Sequence, residues 1–217
     1  MDFVENNDTG DDIDRWEFSI QSVINRFNET KNSIALDLAS HPSRPTNVNG
    51  QGWRRPQAGF IKINTDAALS KRGSCLAMVV RNDVGNILLI RTFKSEIEIL
   101  EVAEMEAILK AVQVATSQSW NNICIESDAS AVIDTLSSKN RKSLHWKAEH
   151  LANHIFQLIP MFDNLSFVWT AREYNNLAHL VGQWAKNSSF FGEVYLYSLP
   201  SFLLRRLIQE SVRGVAT

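Results

Sequence analysis

Cysteine is scarce in this chain. Cys75 and Cys124 are the only two, each set inside an apolar run. That is the pattern of buried free thiols, not of a disulfide framework or a metal-binding pair. Long apolar runs are missing as well: nothing approaches the roughly 20 consecutive apolar residues that cross a bilayer. The N-terminus is acidic, which excludes the basic-then-apolar pattern of a secretory signal. We therefore expect a soluble, intracellular protein without membrane contact, its compartment left open between nucleus and cytoplasm. A large charge excess is absent too, since the formal net charge is −2. A protein that binds polyanions through its overall field carries a clearly basic face, so any nucleic-acid contact here must rest on local patches. There is no internal repeat.

What is present is an ordinary globular composition, 44% hydrophobic and 21% charged over 217 residues, enough for one domain with extensions. The acidity sits at the front. Residues 1–52 carry four Lys/Arg against nine Asp/Glu, 53–187 fifteen against thirteen, and 188–217 three against two. Residues 1–14 have no basic residue and suit a disordered acidic tail. Trp16, Ile20, Val23, Ile24 and Phe27 recur at helical spacing, predicting a helix that packs on the main domain or on a partner. His41-Pro42-Ser43-Arg44-Pro45 and the small polar residues to Gly52 read as a linker. Three segments follow: 1–52 as tail, helix and linker, 53–187 as the main domain, and 188–217 as an apolar extension. In that extension Leu199, Phe202, Leu203, Leu204, Leu207 and Ile208 predict a helix starting near Ser201, packed back on the domain or offered to a protein partner.

Within the main domain, Ile61 and Ile63 alternate with Lys62 and Asn64, the period-two pattern of a half-buried strand. Strands are predicted at about 60–68, 75–82 and 87–93, the last two joined by a turn at Asn82-Asp83-Val84-Gly85-Asn86. The period then becomes helical from Leu100 to Thr116, with Val102, Met105, Ile108, Leu109 and Val112 on one face. A fourth strand over 123–128, helices near 130–137 and 144–159, a fifth strand at 165–170 and a helix over 175–186 complete the order βββαβααβα. That order implies an α/β fold with a five-stranded mixed sheet, a three-strand antiparallel meander plus parallel strands, flanked by helices.

Carboxylates stand where these elements end. Asp66 lies where the apolar pattern of the first strand stops, Glu104 on the first long helix, and Asp128 after the fourth strand. Convergent carboxylates bind divalent cations; the alternative is three unrelated surface acids, and Glu104 taken singly, near Glu101 and Glu106, reads as solvated. His150 and His154 have a metal-binding spacing but lack the further ligands, and read as surface histidines. Trp120, Trp146 and Trp169 read as core or packing residues, the alternative being an exposed Trp near the groove that stacks on a sugar or base, and Glu126 reads as exposed, with a supporting role at the site as its alternative.

Several pieces together resemble a known family. They are Trp53...Pro56, Lys62-Ile63-Asn64-Thr65-Asp66, Val80-Arg81-Asn82-Asp83-Val84-Gly85, Ala103-Glu104, Glu126-Ser127-Asp128, and Arg172-Glu173-Tyr174-Asn175-Asn176-Leu177-Ala178-His179. In this order and spacing, Trp53 to about Asn187 resembles the ribonuclease H type 1 domain, in the retroelement-derived, reverse-transcriptase-like form abundant in plants. The resemblance implies a ribonuclease H-like fold and an endonuclease that cleaves the RNA strand of RNA–DNA hybrids. It also implies Mg²⁺ or Mn²⁺ as cofactor, held as two ions by Asp66, Glu104 and Asp128. The alternative is a domesticated, catalytically weak or inactive module that binds nucleic acid or a partner. His179 stands where the family's fourth carboxylate is expected. An imidazole suits Mg²⁺ poorly, so His179 is read as a weakened catalytic position, with proton transfer or packing beside Leu180 as alternatives. Ala67 replaces a usual glycine, a cost if the backbone there needs a positive φ. Asn64, Lys139, Arg141, Lys142, Arg172 and Asn175 are the expected substrate-binding set, with Asn175 also suited to cap the last helix.

Overall fold

The structure is a computed structural model that describes residues 53–138 and 144–213, together with Asn25, Glu29 and Asn32, side chains being described as far as Glu210. Those three isolated positions are helical and exposed. The acidic tail, the linker, the apolar positions of the N-terminal helix and the basic run Lys139, Arg141, Lys142 lie outside the described residues.

Five strands and four helices follow the predicted order. They are β1 (Ile61–Leu69), β2 (Ser74–Arg81), β3 (Ile87–Ser95), α1 (Leu100–Ser117), β4 (Asn122–Ser127), α2 (Ser130–Ser138), α3 (Trp146–Leu158), β5 (Asn164–Trp169) and α4 (Asn176–Ser188). A two-residue strand, β6 (Gly192–Glu193), and a helix, α5 (Ser201–Arg213), close the described chain. The sheet therefore has six strands, not the expected five, in the order β5-β4-β1-β2-β3-β6. β1, β2 and β3 form the antiparallel meander, while β4 lies parallel to β1 and β5 parallel to β4. β6 was invisible in the sequence because two residues carry no period; it forms by pairing with Arg91 and Thr92 of β3. At the β2–β3 turn Gly85 has φ +90° and donates to the Asn82 carbonyl, the positive-φ role its position predicts.

Helices cover both faces of the sheet. On one, α1, α2 and α3 pack against Ile63, Met78, Val80, Ile123 and Ile125. Ala103, Ala107, Ala111 and Ala115, four residues apart, are all buried. A stripe of small side chains at that spacing lies on one helix face and lets α1 approach closely. On the other, α4 and α5 pack against Ala77, Val79 and Ile90, with Leu199, Leu203, Leu204, Leu207 and Ile208 buried. These five residues of the apolar extension are thus part of the core and are not available to a protein partner, whereas Phe202 is exposed. Fully burying each such side chain contributes about 1.5–3 kcal/mol.

A buried polar chain ties this second face together. Arg81 Nη2 donates to Glu210 Oε2 at 2.7 Å, and its guanidinium lies 4.3 Å from the Trp53 ring centre. Trp53 Nε1 donates to Asn64 Oδ1 at 2.9 Å, and Asn64 Nδ2 donates to Glu126 Oε2 at 3.1 Å. Glu126 in turn pairs with Lys62, which also donates to the Arg54 carbonyl at 2.8 Å. Asn64, expected at the substrate, is therefore buried with both ends of its amide in use. Glu126, expected exposed, is buried because the parallel register sets it opposite Asn64 and beside Lys62.

Candidate functional site

The pairing of β1 with β4 stops at Asn64 and Glu126, while β1 continues to Leu69 against β2. A notch opens where the partners part, at the carboxyl ends of parallel strands, the usual place for sites in α/β sheets. Asp66 projects from β1, Asp128 follows β4, and Glu104 reaches in from the first turns of α1.

One carboxylate oxygen from each of Asp66, Glu104 and Asp128 lies within 4.8 Å of the others. Asp66 is fully buried and Glu104 is 5% exposed, so Glu104 is not the solvated acid its neighbours suggested. Asp66 Oδ1 and Glu104 Oε2 are buried without a hydrogen-bond partner. Three converging carboxyl groups, two of which keep an unpartnered buried oxygen, form a hard-donor cluster that fits a divalent cation. Burial raises the Glu104 carboxyl well above its ordinary value, and the charges of Asp66 and Asp128 add to the effect. Burial likewise raises Asp66, against the opposing influence of His179.

The remaining polar groups hold these acids in place. Asn175 Nδ2 donates to the Thr65 carbonyl at 2.8 Å and to Asp128 Oδ1 at 3.1 Å. Asn175 does occupy the N-cap position of α4, but its side chain caps nothing; the amide is drawn inward to pin β1 to the residue after β4. Arg172 Nε donates to Asp128 Oδ2 at 2.9 Å. Its Nη1 lies 3.1 and 3.2 Å from the two ring nitrogens of His179, and His179 Nδ1 lies 3.3 Å from Asp66 Oδ2. His179 therefore faces the acids and does not simply pack beside Leu180.

Three features escaped the sequence reading. Gly182, one turn past His179, sits so close to the sheet that an added Cβ would lie 3.3 Å from Asp66 Oδ2 and 3.6 Å from the Ala77 Cβ. Trp169 is 52% exposed, not packed, and its Nε1 donates to the Asp128 carbonyl at 3.2 Å; Trp146 is exposed also. Ala67 has no positive φ and packs against Ala103 and Ala107, so the methyl group strains nothing in the backbone. His150 and His154 are surface residues. Cys75 is buried, which pushes its thiol up to about 11 and leaves it unreactive.

No helix among the described residues is long and apolar enough to cross a membrane. No curated protein matches the chain in sequence. In structure it is similar to the RNase H1 of the archaeon Halobacterium salinarum, at 16% identity and a TM-score of 0.55, over 60% of this chain and 99% of that one. It is similar also to the N-terminal RNase H domain of a Mycobacterium tuberculosis protein, at 17% identity and a TM-score of 0.52, over 60% and 95%. A third likeness is to an RNase H1 isolated from compost, solved in complex with an RNA/DNA hybrid, at 18% identity and a TM-score of 0.52, over 59% and 98%. These likenesses establish the RNase H fold. A family model described as reverse transcriptase-like matches residues 64–185, a span holding Asp66, Glu104, Asp128 and His179, and the chain belongs to that family.

Proposed function

We propose that the protein is a divalent-metal-dependent endonuclease that cleaves the RNA strand of RNA–DNA hybrids. The observation that carries this reading is the convergence of Asp66, Glu104 and Asp128, two of which keep a buried oxygen that no protein group satisfies. Asp66, Glu104 and Asp128 would hold Mg²⁺ or Mn²⁺. Bound by these residues, a divalent ion would supply an activated water for attack on the phosphodiester and would offset charge on the leaving 3′ oxygen. The chain's own groups fix the geometry. Asn175 holds Asp128 against β1, Gly182 admits α4 close enough to bring His179 to Asp66, and Arg172 spans Asp128 and His179. Hybrid as substrate is supported by the likeness to an RNase H1 solved with an RNA/DNA hybrid, and a 2′-hydroxyl is what lets a protein separate RNA from DNA. Lys139, Arg141 and Lys142 would supply phosphate contacts.

A second reading, a nucleic-acid-binding module with little or no turnover, is favoured by one observation: His179, at the position where the resemblance implies a fourth carboxylate, and Arg172, lying across Asp128, bring basic groups to the acids. The two readings part on a labelled hybrid incubated with Mg²⁺ or Mn²⁺, beside the Asp66→Asn variant. The enzyme reading expects cleavage by the native protein and none by the variant at equal folded content. Cutting that survives in Asp66→Asn would remove the site assignment, and no cutting by the folded native protein would leave the binding module.

A further inference from the structure

Arg172 and His179 bridge two of the acids. His179 Nδ1 faces Asp66 Oδ2 at 3.3 Å, and Arg172 Nη1 lies 3.1 Å from His179 Nδ1 and 3.2 Å from its Nε2. Arg172 Nε reaches Asp128 Oδ2 at 2.9 Å. We propose that Arg172 is a built-in cation that takes the place of a second divalent ion, so that the site holds one ion, on the Asp66 and Glu104 side. This rests on the metal-site reading above.

The oxygen inventory points the same way. The orphaned oxygens, Asp66 Oδ1 and Glu104 Oε2, are on two of the acids only. Both oxygens of Asp128 already accept, Oδ1 from Asn175 and Oδ2 from Arg172, although a carboxylate oxygen keeps lone pairs to spare. Charge agrees. Three carboxylates and one guanidinium leave two negative charges, which a single divalent ion balances. A second ion would add two uncompensated positive charges beside a guanidinium, where like charges repel. The Arg172 side chain is 57% exposed, so its outer face remains free to meet a substrate phosphate, the bidentate recognition that guanidinium geometry suits.

Mn²⁺ binding followed by electron paramagnetic resonance tests this without turnover. It is measured on the free protein and on protein saturated with a hybrid whose RNA strand is 2′-O-methylated. The native protein is expected to take one ion in both states. The Arg172→Gln, His179→Asp double variant should take two, with the spin-coupled spectrum of ions about 3.5–4 Å apart. Arg172→Gln alone should tighten the first ion, because it removes a positive charge beside the cluster. Arg172→Lys, which keeps the charge, should stay at one. Two coupled ions in the native protein would overturn the proposal while leaving the metal site standing. A double variant that still takes one would overturn it also, and no ion in any form would remove both.

Discussion

Arg81 on β2 and Glu210 on α5 stand 129 residues apart and meet at 2.7 Å, with side chains only 4% and 3% exposed. Arg206 also donates to Glu210, at 2.9 Å, so both carboxylate oxygens are used. Removing one member of a buried pair strands the other charge, which costs about 3–5 kcal/mol. Glu210→Ala should therefore lower the urea midpoint by that equivalent. A loss below about 1 kcal/mol in equilibrium unfolding would mean that α5 is not docked as described.

The acids of the site should make the empty protein respond to pH in the unusual direction. Glu104 and Asp66 have carboxyls raised from their ordinary 4.5 and 3.8, so the folded state keeps protons that the unfolded chain releases. Stability attributable to these groups is full below the ordinary values and falls as pH rises towards the raised ones. Glu104→Gln removes that loss. In chelator at pH 7 the variant should melt higher than the native protein. Mn²⁺ at a hundredfold excess over its Kd should stabilise the native protein by about 2.7 kcal/mol and leave Glu104→Gln unmoved. Thermal melts with and without the ion decide this, and a variant that melts lower in chelator would contradict it.

Asn175→Ala removes the amide that joins the Thr65 carbonyl to Asp128. The buried carbonyl left without its donor should cost about 1–3 kcal/mol, and the loosened Asp128 should weaken metal affinity or hybrid cleavage roughly 10–100-fold. A change in stability alone, with Mn²⁺ titration unaltered, would show that Asp128 does not need the pin.

Gly182→Ala separates packing from function. Alanine favours a helix interior by about 1 kcal/mol over glycine, while the new methyl crowds Asp66 Oδ2. Thermal stability should hold or rise slightly, yet Mn²⁺ affinity should fall, since small displacements in a site's support degrade it. Unchanged affinity would mean that the Asp66 carboxylate has room to yield.

Most elements were legible because their periods are strong: Ile61 and Ile63 mark β1, and Val102, Met105 and Ile108 mark the inward face of α1. The carboxylates were legible because each follows the end of a pattern or joins a motif. What stayed hidden was set by distant partners. Glu126 is buried by Lys62 across a parallel register, and Asn175 turns from its own helix towards the Thr65 carbonyl 110 residues earlier. Trp146 and Trp169 were assigned inward by residue type, but one begins a helix at the surface and the other ends an edge strand. Gly182 gave no signal, because a glycine in a helix pattern does not announce the group it makes room for.

The docking of α5 bears on how the protein is made. β2 supplies Ala77 and Val79, but Leu203, Leu207 and Glu210 complete their burial only once α5 has been translated. The α1 face can assemble on the ribosome from residues up to α3, whereas the α4 face must wait with apolar strand surface uncovered. Folding from the N-terminal side is the general order during synthesis, and here it leaves that face of the sheet without α5 until the helix has left the ribosome. That interval is when a chaperone would find it.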